Sequence, residues 1–251
     1  MTKPLPILVL GALLLAAPGF AAAAGPGFPL QSAGADVSNE ASLQRGAKLF
    51  MNYCLGCHSL EYVRYNTLAD GLGLTDDQVA ENLRFTADSP HAQIEIGMPE
   101  EEAADWFGLA PPDLSLIARS RGEDYVYTFL KSFYVDPSAR QTGVNNKVLE
   151  GTAMPHVLWE LQGLQEAVYR QEIRPDGSRE KVFEGFELVQ PGSMTPDEYD
   201  QAARDLTAFL SWTAEPMQLE RQQLGIKVLL FLLLLFVFSW LYYKELWKDV
   251  K

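Results

Sequence analysis

The sequence predicts a mostly α-helical domain that carries one small β-hairpin and ends in a single transmembrane helix. Three observations predict it. Apolar residues recur at helical spacing in two segments, near residues 43–50 and 199–212. Pro175-Asp-Gly-Ser178 is a turn sequence between two strand-like runs. Residues 224–243 form a 20-residue stretch whose only charge is Lys227.

The N-terminal segment, residues 1–24, reads as a signal peptide. One positive charge, Lys3, precedes a short apolar stretch, and a run of alanines ends at Ala24. Pro18 and Gly19 interrupt the apolar stretch, which is short for spanning a bilayer. Residues 26–36, rich in Gly, Pro and Ala, predict an extended lead-in. A helix is expected from about Ser38. Leu43, Ala47 and Phe50 share one face, and Gly46 beside it allows a second helix to approach closely. Residues 113–118 and 122–133 predict two further helical segments, and residues 167–174 and 180–189 the two arms of the hairpin. Thr195-Pro-Asp-Glu198 is a helix start. Thr195 caps, Pro196 fits the first turn, and Glu198 completes a capping box. Tyr199, Ala203, Leu206, Phe209 and Leu210 continue as an apolar stripe that Glu215-Pro216 ends.

Residues 220–243 are expected to anchor the chain in a membrane. Twenty apolar residues at 1.5 Å each match a hydrocarbon core of about 30 Å. Trp240, Tyr242 and Tyr243 sit where an interfacial aromatic belt belongs, and Lys244, Lys248 and Lys251 place residues 244–251 on the cytoplasmic side. Residues 25–219 are then an exported domain. That part holds 30 acids and 14 bases, a net charge of −16, within a chain total of −13. The balance excludes a nucleic-acid binder that neutralises phosphates, and attracts basic protein partners. Hydrophobic residues at 47% exclude a disordered acidic chain, and two cysteines exclude a disulfide scaffold.

The chemistry concentrates in Cys54-Leu-Gly-Cys57-His58. C-x-x-C-H is the attachment site of c-type haem: two thiols add to porphyrin vinyl groups, and the adjacent imidazole is placed as proximal iron ligand. Zinc would need a fourth ligand. A thioredoxin-like motif would follow a strand rather than a helix, and a plain disulfide would not need His58. For the distal ligand the residues leave a choice. Met98 and Met154 each precede Pro in Gly-containing loops, which extends the backbone and can aim a thioether. Met51 lies too close to the motif, and His91 and His156 are further options.

At this point the chain resembles the cytochrome c1 family, the haem subunits of quinol–cytochrome c oxidoreductase. Besides the haem motif, Ala110-Pro-Pro-Asp-Leu-Ser115, Arg119-Ser-Arg-Gly-Glu-Asp-Tyr125, Gly151-Thr-Ala-Met-Pro155 and Phe209-Leu-Ser-Trp-Thr-Ala-Glu-Pro216 match family segments in the family's order. The resemblance implies a c-type cytochrome fold with one covalent haem c on Cys54 and Cys57. It implies His58 as proximal ligand and Met154 as distal ligand. Arg121 matches an arginine that pairs with a haem propionate, with Arg119 as the alternative. Tyr125 matches a nearby tyrosine, and Pro111 and Pro112 a wall of the haem pocket. It implies a single-pass protein of a bacterial inner membrane with its haem domain in the periplasm. Cytochrome b and a Rieske iron–sulfur protein would be partners in a dimeric complex, lipid would surround the anchor, and cytochrome c would accept the electron. The rival readings are a free-standing anchored cytochrome c serving an oxidase and a tethered thiol–disulfide oxidoreductase using Cys54 and Cys57. A tether with a vestigial site is a further one.

Overall fold

The computed structural model describes residues 27–139, 142–175 and 177–250. The expected signal peptide lies outside them. Residues 29–36 form neither helix nor strand, with Gly34 at φ +56°, and Ala33 is buried against Tyr127 and Ala203.

Helix α1, Glu40–Leu49, starts on Asn39, whose side chain accepts from the Ser42 amide. Its last turn widens into a π-helical segment, Phe50–Cys54, which delivers the chain to the cysteine motif. Strand β1, Leu60–Arg64, follows, then α2, Tyr65–Gly71, and α3, Asp76–Asn82. Strand β2, Gln93–Ile94, returns antiparallel to β1. Helix α4, Glu100–Phe107, ends on Gly108 at φ +76°. Helices α5, Ile117–Arg121, and α6, Glu123–Lys131, lead to the antiparallel pair β3, Phe133–Val135, and β4, Val144–Asn146. A single turn, α7, Trp159–Gln162, opens into the hairpin β5, Gly163–Ile173, and β6, Arg179–Pro191. Helix α8, Pro196–Ala214, then crosses α1, and α9, Gln218–Leu246, completes the described chain.

The α1–α8 crossing is the centre of the core. Leu43, Ala47 and Phe50 are buried on the face expected for them, and Leu206, Phe209 and Leu210 answer from α8. A Cβ added at Gly46 would meet the Asp205 carbonyl carbon and the Phe209 Cβ, both at 2.7 Å. Glycine is therefore what lets the two backbones touch. At the same level Asp205, 2% exposed, accepts from Ser42 Oγ at 2.6 Å and from Arg45 Nε at 2.6 Å. Helix α8 begins as the sequence predicts, with Thr195 and Glu198 closing a capping box and Pro196 in the first turn.

Three differences from expectation have physical causes. Residues 113–118 are not one helix, and α5 begins only at Ile117. Asp113 is occupied instead: its Oδ1 accepts from the Ser115 amide and its Oδ2 from the Glu61 amide of β1. The hairpin is longer than 167–189, because Gly163 at φ +93° and Gly192 pack backbone to backbone at its base. It is also one of three small sheets among the described residues rather than the single β element. Helix α9, with no buried residue, is long and apolar enough to cross a membrane.

Candidate haem site

The motif turn is built by local hydrogen bonds. The Cys57 and His58 amides donate to the Cys54 carbonyl at 3.0 and 2.8 Å, which turns the chain back on itself. Both cysteines are free thiols, Cys54 buried and Cys57 half-buried. Burial pushes the Cys54 thiol up to about 12, with a smaller contribution from Cys57, and raises Cys57 as well. A thiol–disulfide oxidoreductase needs the opposite, a thiolate near neutral pH.

His58 is 8% exposed. Its Nδ1–H donates to the Pro112 carbonyl at 2.7 Å. That bond fixes the ring and leaves Nε2 as the free donor atom, the arrangement in which a metal-ligating histidine is held by a second partner. Burial lowers the His58 pKa against the opposing effects of Pro112 and Asp113, which keeps the imidazole neutral. The Pro112 carbonyl is held in place by stitches to β1. Leu114 N donates to the Ser59 carbonyl at 3.0 Å, Glu61 N to Asp113 at 2.8 Å, and Tyr62 N to Ser115 Oγ at 3.1 Å. The Pro-Pro-Asp-Leu-Ser segment is thus a bracket for His58. Asp113 and Ser115 were not among the expected site residues, although an Asp two residues before a Ser after Pro-Pro is a readable turn signal. Pro111 is half-buried and Pro112 exposed, and the Pro112 carbonyl ties this dipeptide to His58.

Arg121 and Tyr125 meet. The guanidinium lies 5.5 Å from the Tyr125 ring centroid. Arg119 turns elsewhere, adding to Arg221 in holding the Glu215 carboxyl below its ordinary range. Tyr125 begins a row of rings. It stacks on Phe129 at 6.2 Å, Phe129 meets Phe133 edge-on at 5.1 Å, and Phe133 stacks on His156 at 5.0 Å and 5°. Tyr125 and Phe129 are only half-buried, so ring faces remain for another group. Phe129, Phe133 and His156 extend the predicted pair. The four-residue spacing from Arg121 to Phe133 was a legible signal, whereas the His156 stack was not.

Met154 is half-buried in the loop 151–158, its amide donating to Thr152 Oγ1 at 3.3 Å. Met98 is likewise half-buried, Met51 is in the core, Met194 packs against the core and Met217 is exposed. His91 is exposed. His156 is buried, and burial pushes its pKa down to about 4. Two free thiols, an imidazole with its Nε2 left open and a half-buried row of rings fit a covalently held porphyrin. Among the described residues no three His, Cys, Asp or Glu side chains gather as a metal site, which leaves zinc without ligands.

Comparison with known proteins agrees with this geometry. The model of the Cytochrome C1 family matches residues 35–166 and 183–250. A cytochrome c1 from Allochromatium vinosum is 49% identical over 97% of this chain and 98% of its own. A protein named ammonia monooxygenase gamma subunit from Nitrosomonas europaea is 39% identical over 94% of this chain and 95% of its own. The mitochondrial cytochrome c1 haem protein of Saccharomyces cerevisiae is 31% identical over 86% of this chain and 69% of its own.

Proposed function

The chain belongs to the cytochrome c1 family, and from that premise we propose that Cys54 and Cys57 bind the haem, His58 is its proximal ligand and Met154 its distal ligand. The chain is a membrane-anchored c-type cytochrome with one covalently attached haem c. It is the haem subunit of ubiquinol–cytochrome c oxidoreductase and carries one electron from the Rieske iron–sulfur protein to cytochrome c. Bound haem supplies reversible one-electron chemistry at its iron.

The observation that carries the site assignment is the His58 Nδ1–H donated to the Pro112 carbonyl beside two free thiols. The bracket orients the ring, keeps it neutral and raises its basicity as a ligand. Met154 supplies a thioether, which favours the reduced state relative to a second histidine. Arg121, steadied on Tyr125, offers a guanidinium for a propionate and lowers the cost of holding that anion near apolar rings. Pro111 contributes to the pocket wall. The chain's residues hold the redox centre and set its potential, so the reaction calls for no nucleophile or general base.

Residues 1–24 are a signal peptide, 25–219 the exported domain, 220–243 the anchor and 244–251 a cytoplasmic tail. The haem domain faces the periplasm of a bacterial inner membrane. Helix α9 is surrounded by lipid and cytochrome b within a dimeric complex. The oxygenase named for the Nitrosomonas relative is not carried over to this chain.

The test is a redox titration and pyridine haemochrome spectrum of the detergent-extracted protein, wild type beside Met154→Leu. A c-type spectrum in both, with the variant's potential lower by at least about 60 mV, a tenfold shift for one electron, supports the assignment. An unmoved potential removes Met154 as ligand. The absence of haem after expression with the attachment machinery overturns the site.

A further inference from the structure

The loop that carries Met154 is weakly tied by its backbone. At its start the Gly151 amide donates to Asn145 Oδ1 at 2.8 Å and Thr152 N to the Leu149 carbonyl at 3.3 Å. The Met154 amide donates only within the loop, to Thr152 Oγ1 at 3.3 Å, and the next backbone bond, from Trp159 N to the His156 carbonyl at 3.3 Å, lies past the methionine. Side chains must therefore fix its position. Two in the stretch after Met154 are buried, His156 at 6% and Leu158 at 4% exposed. His156 lies flat on Phe133, itself 1% exposed, and Phe133 continues the row of Phe129 and Tyr125 on α6.

The His156 ring nitrogens are weakly held. Nε2 is buried and finds no partner at hydrogen-bond geometry, as does Gln162 Oε1, whose own amide donates to the Lys131 carbonyl at 3.2 Å; the Gln162 side chain and the Gly163 backbone are near enough only to oppose part of the effect of burial on the ring. What the imidazole does make is a parallel stack, 5° from coplanar with Phe133. The geometry points to His156 as a positioning residue: its ring plane, seated on Phe133 of β3 and through Phe129 on α6, clamps the 151–158 loop and so holds Met154 in place. This rests on Met154 being the distal ligand. It makes the ring row a mechanical link between the Arg121 end of the site and the thioether end.

The experiment reads closure of the distal position directly. Carbon monoxide binds ferrous haem only when an axial site is open, so its binding to the dithionite-reduced, detergent-extracted protein reports how firmly Met154 is held. Four proteins are compared: wild type, Met154→Leu, His156→Ala and His156→Phe. Met154→Leu is expected to bind carbon monoxide fully. His156→Ala is expected to raise the open fraction about tenfold over wild type, the scale of one lost aromatic pair. His156→Phe keeps the plane and discards only weak polar contacts to Gln162 and the Gly163 backbone, so it stays within about twofold of wild type. If His156→Ala does not accumulate, His156→Leu, which fills the space without a flat ring, takes its place. Wild-type behaviour of the ring-deleting variant beside an open Met154→Leu overturns the clamp and leaves the ligand standing. A closed Met154→Leu removes the ligand, and the clamp with it. A His156→Phe as open as His156→Ala overturns the role of the ring plane.

Discussion

Gly46→Ala tests whether the α1–α8 crossing sets the architecture of the haem domain. The added methyl would stand 2.7 Å from both the Asp205 carbonyl carbon and the Phe209 Cβ, and closer still to the Asp205 carbonyl oxygen. Ordinary contact needs about 3.5–4 Å, so the helices must part by about 1 Å. Two of the atoms met belong to backbone and cannot swing aside. Overpacking of this kind costs about 1–3 kcal/mol. Parting the helices also strains the bonds from Ser42 and Arg45 to the buried Asp205, for about another 1 kcal/mol. Alanine returns about 1 kcal/mol of helix propensity. The net expectation is a loss of about 2 kcal/mol. At roughly 2–4 °C per kcal/mol for a chain of this size, the melting temperature should fall by about 4–8 °C. The assay is far-UV circular dichroism of the haem-loaded protein in detergent, with Gly225→Ala as control. Gly225 has nothing within 4 Å of an added Cβ, so that variant gains only the helix propensity and should melt at or slightly above wild type. A Gly46→Ala protein that melts within about 1 °C of wild type, or above it, refutes the reasoning.

Two more outcomes follow from the polar contacts. Burial raises the Asp200 pKa, but Lys131, Tyr127 and Arg204 outweigh it and hold the carboxyl down at about 2, below its ordinary 3.8. Its stabilisation is therefore present above pH 3.8 and is lost as pH falls toward 2. After discounting for a side chain that is 30% exposed, Asp200→Asn should cost about 1 kcal/mol at pH 6. In thermal melts that deficit should shrink at pH 3, and an equal deficit at both values would count against the ion-pair account. Asp113→Ala removes the acceptor of the Glu61 and Ser115 amides and loosens the carbonyl that holds His58. A less basic ligand and one fewer nearby anion both favour ferrous haem, so the potential should rise by about 30 mV, a threefold shift. A fall in redox titration would contradict the bracket.

What the sequence made legible was local. The face of Leu43, Ala47 and Phe50, the capping box at Thr195, the turn at Pro175 and the apolar run of α9 each declare themselves within a few residues. Helix α3 announces itself equally, through a capping box between Thr75 and Gln78, although its single buried residue, Val79, gives no periodicity to read. Residues 113–118 misled for a non-local reason. Their helix-compatible sequence is overruled by β1, which lies 52 residues earlier and takes Asp113 as a partner for the Glu61 amide. Strands of two or three residues, such as β2 and β3, are too short to show an alternation at all.

The same division runs through the site. A contiguous pentapeptide supplies both thiols and the imidazole proposed as proximal ligand, so the sequence alone exposes them. The groups that hold these residues come from distant segments. Pro112 reaches His58 across 54 residues, and Phe133 reaches His156 across a β-pair and a loop. Arg121 and Tyr125 were singled out by the family resemblance, and the row they start runs past the end of α6 at Lys131 to Phe133. A redox centre needs this asymmetry. Covalent attachment fixes one side of the haem by chemistry, through a short motif that folds as a single turn. On the proposed assignment the opposite side depends on the Met154 loop, which few hydrogen bonds hold, and it is there that the potential and the closure of the iron are open to adjustment by side chains that do not touch the haem.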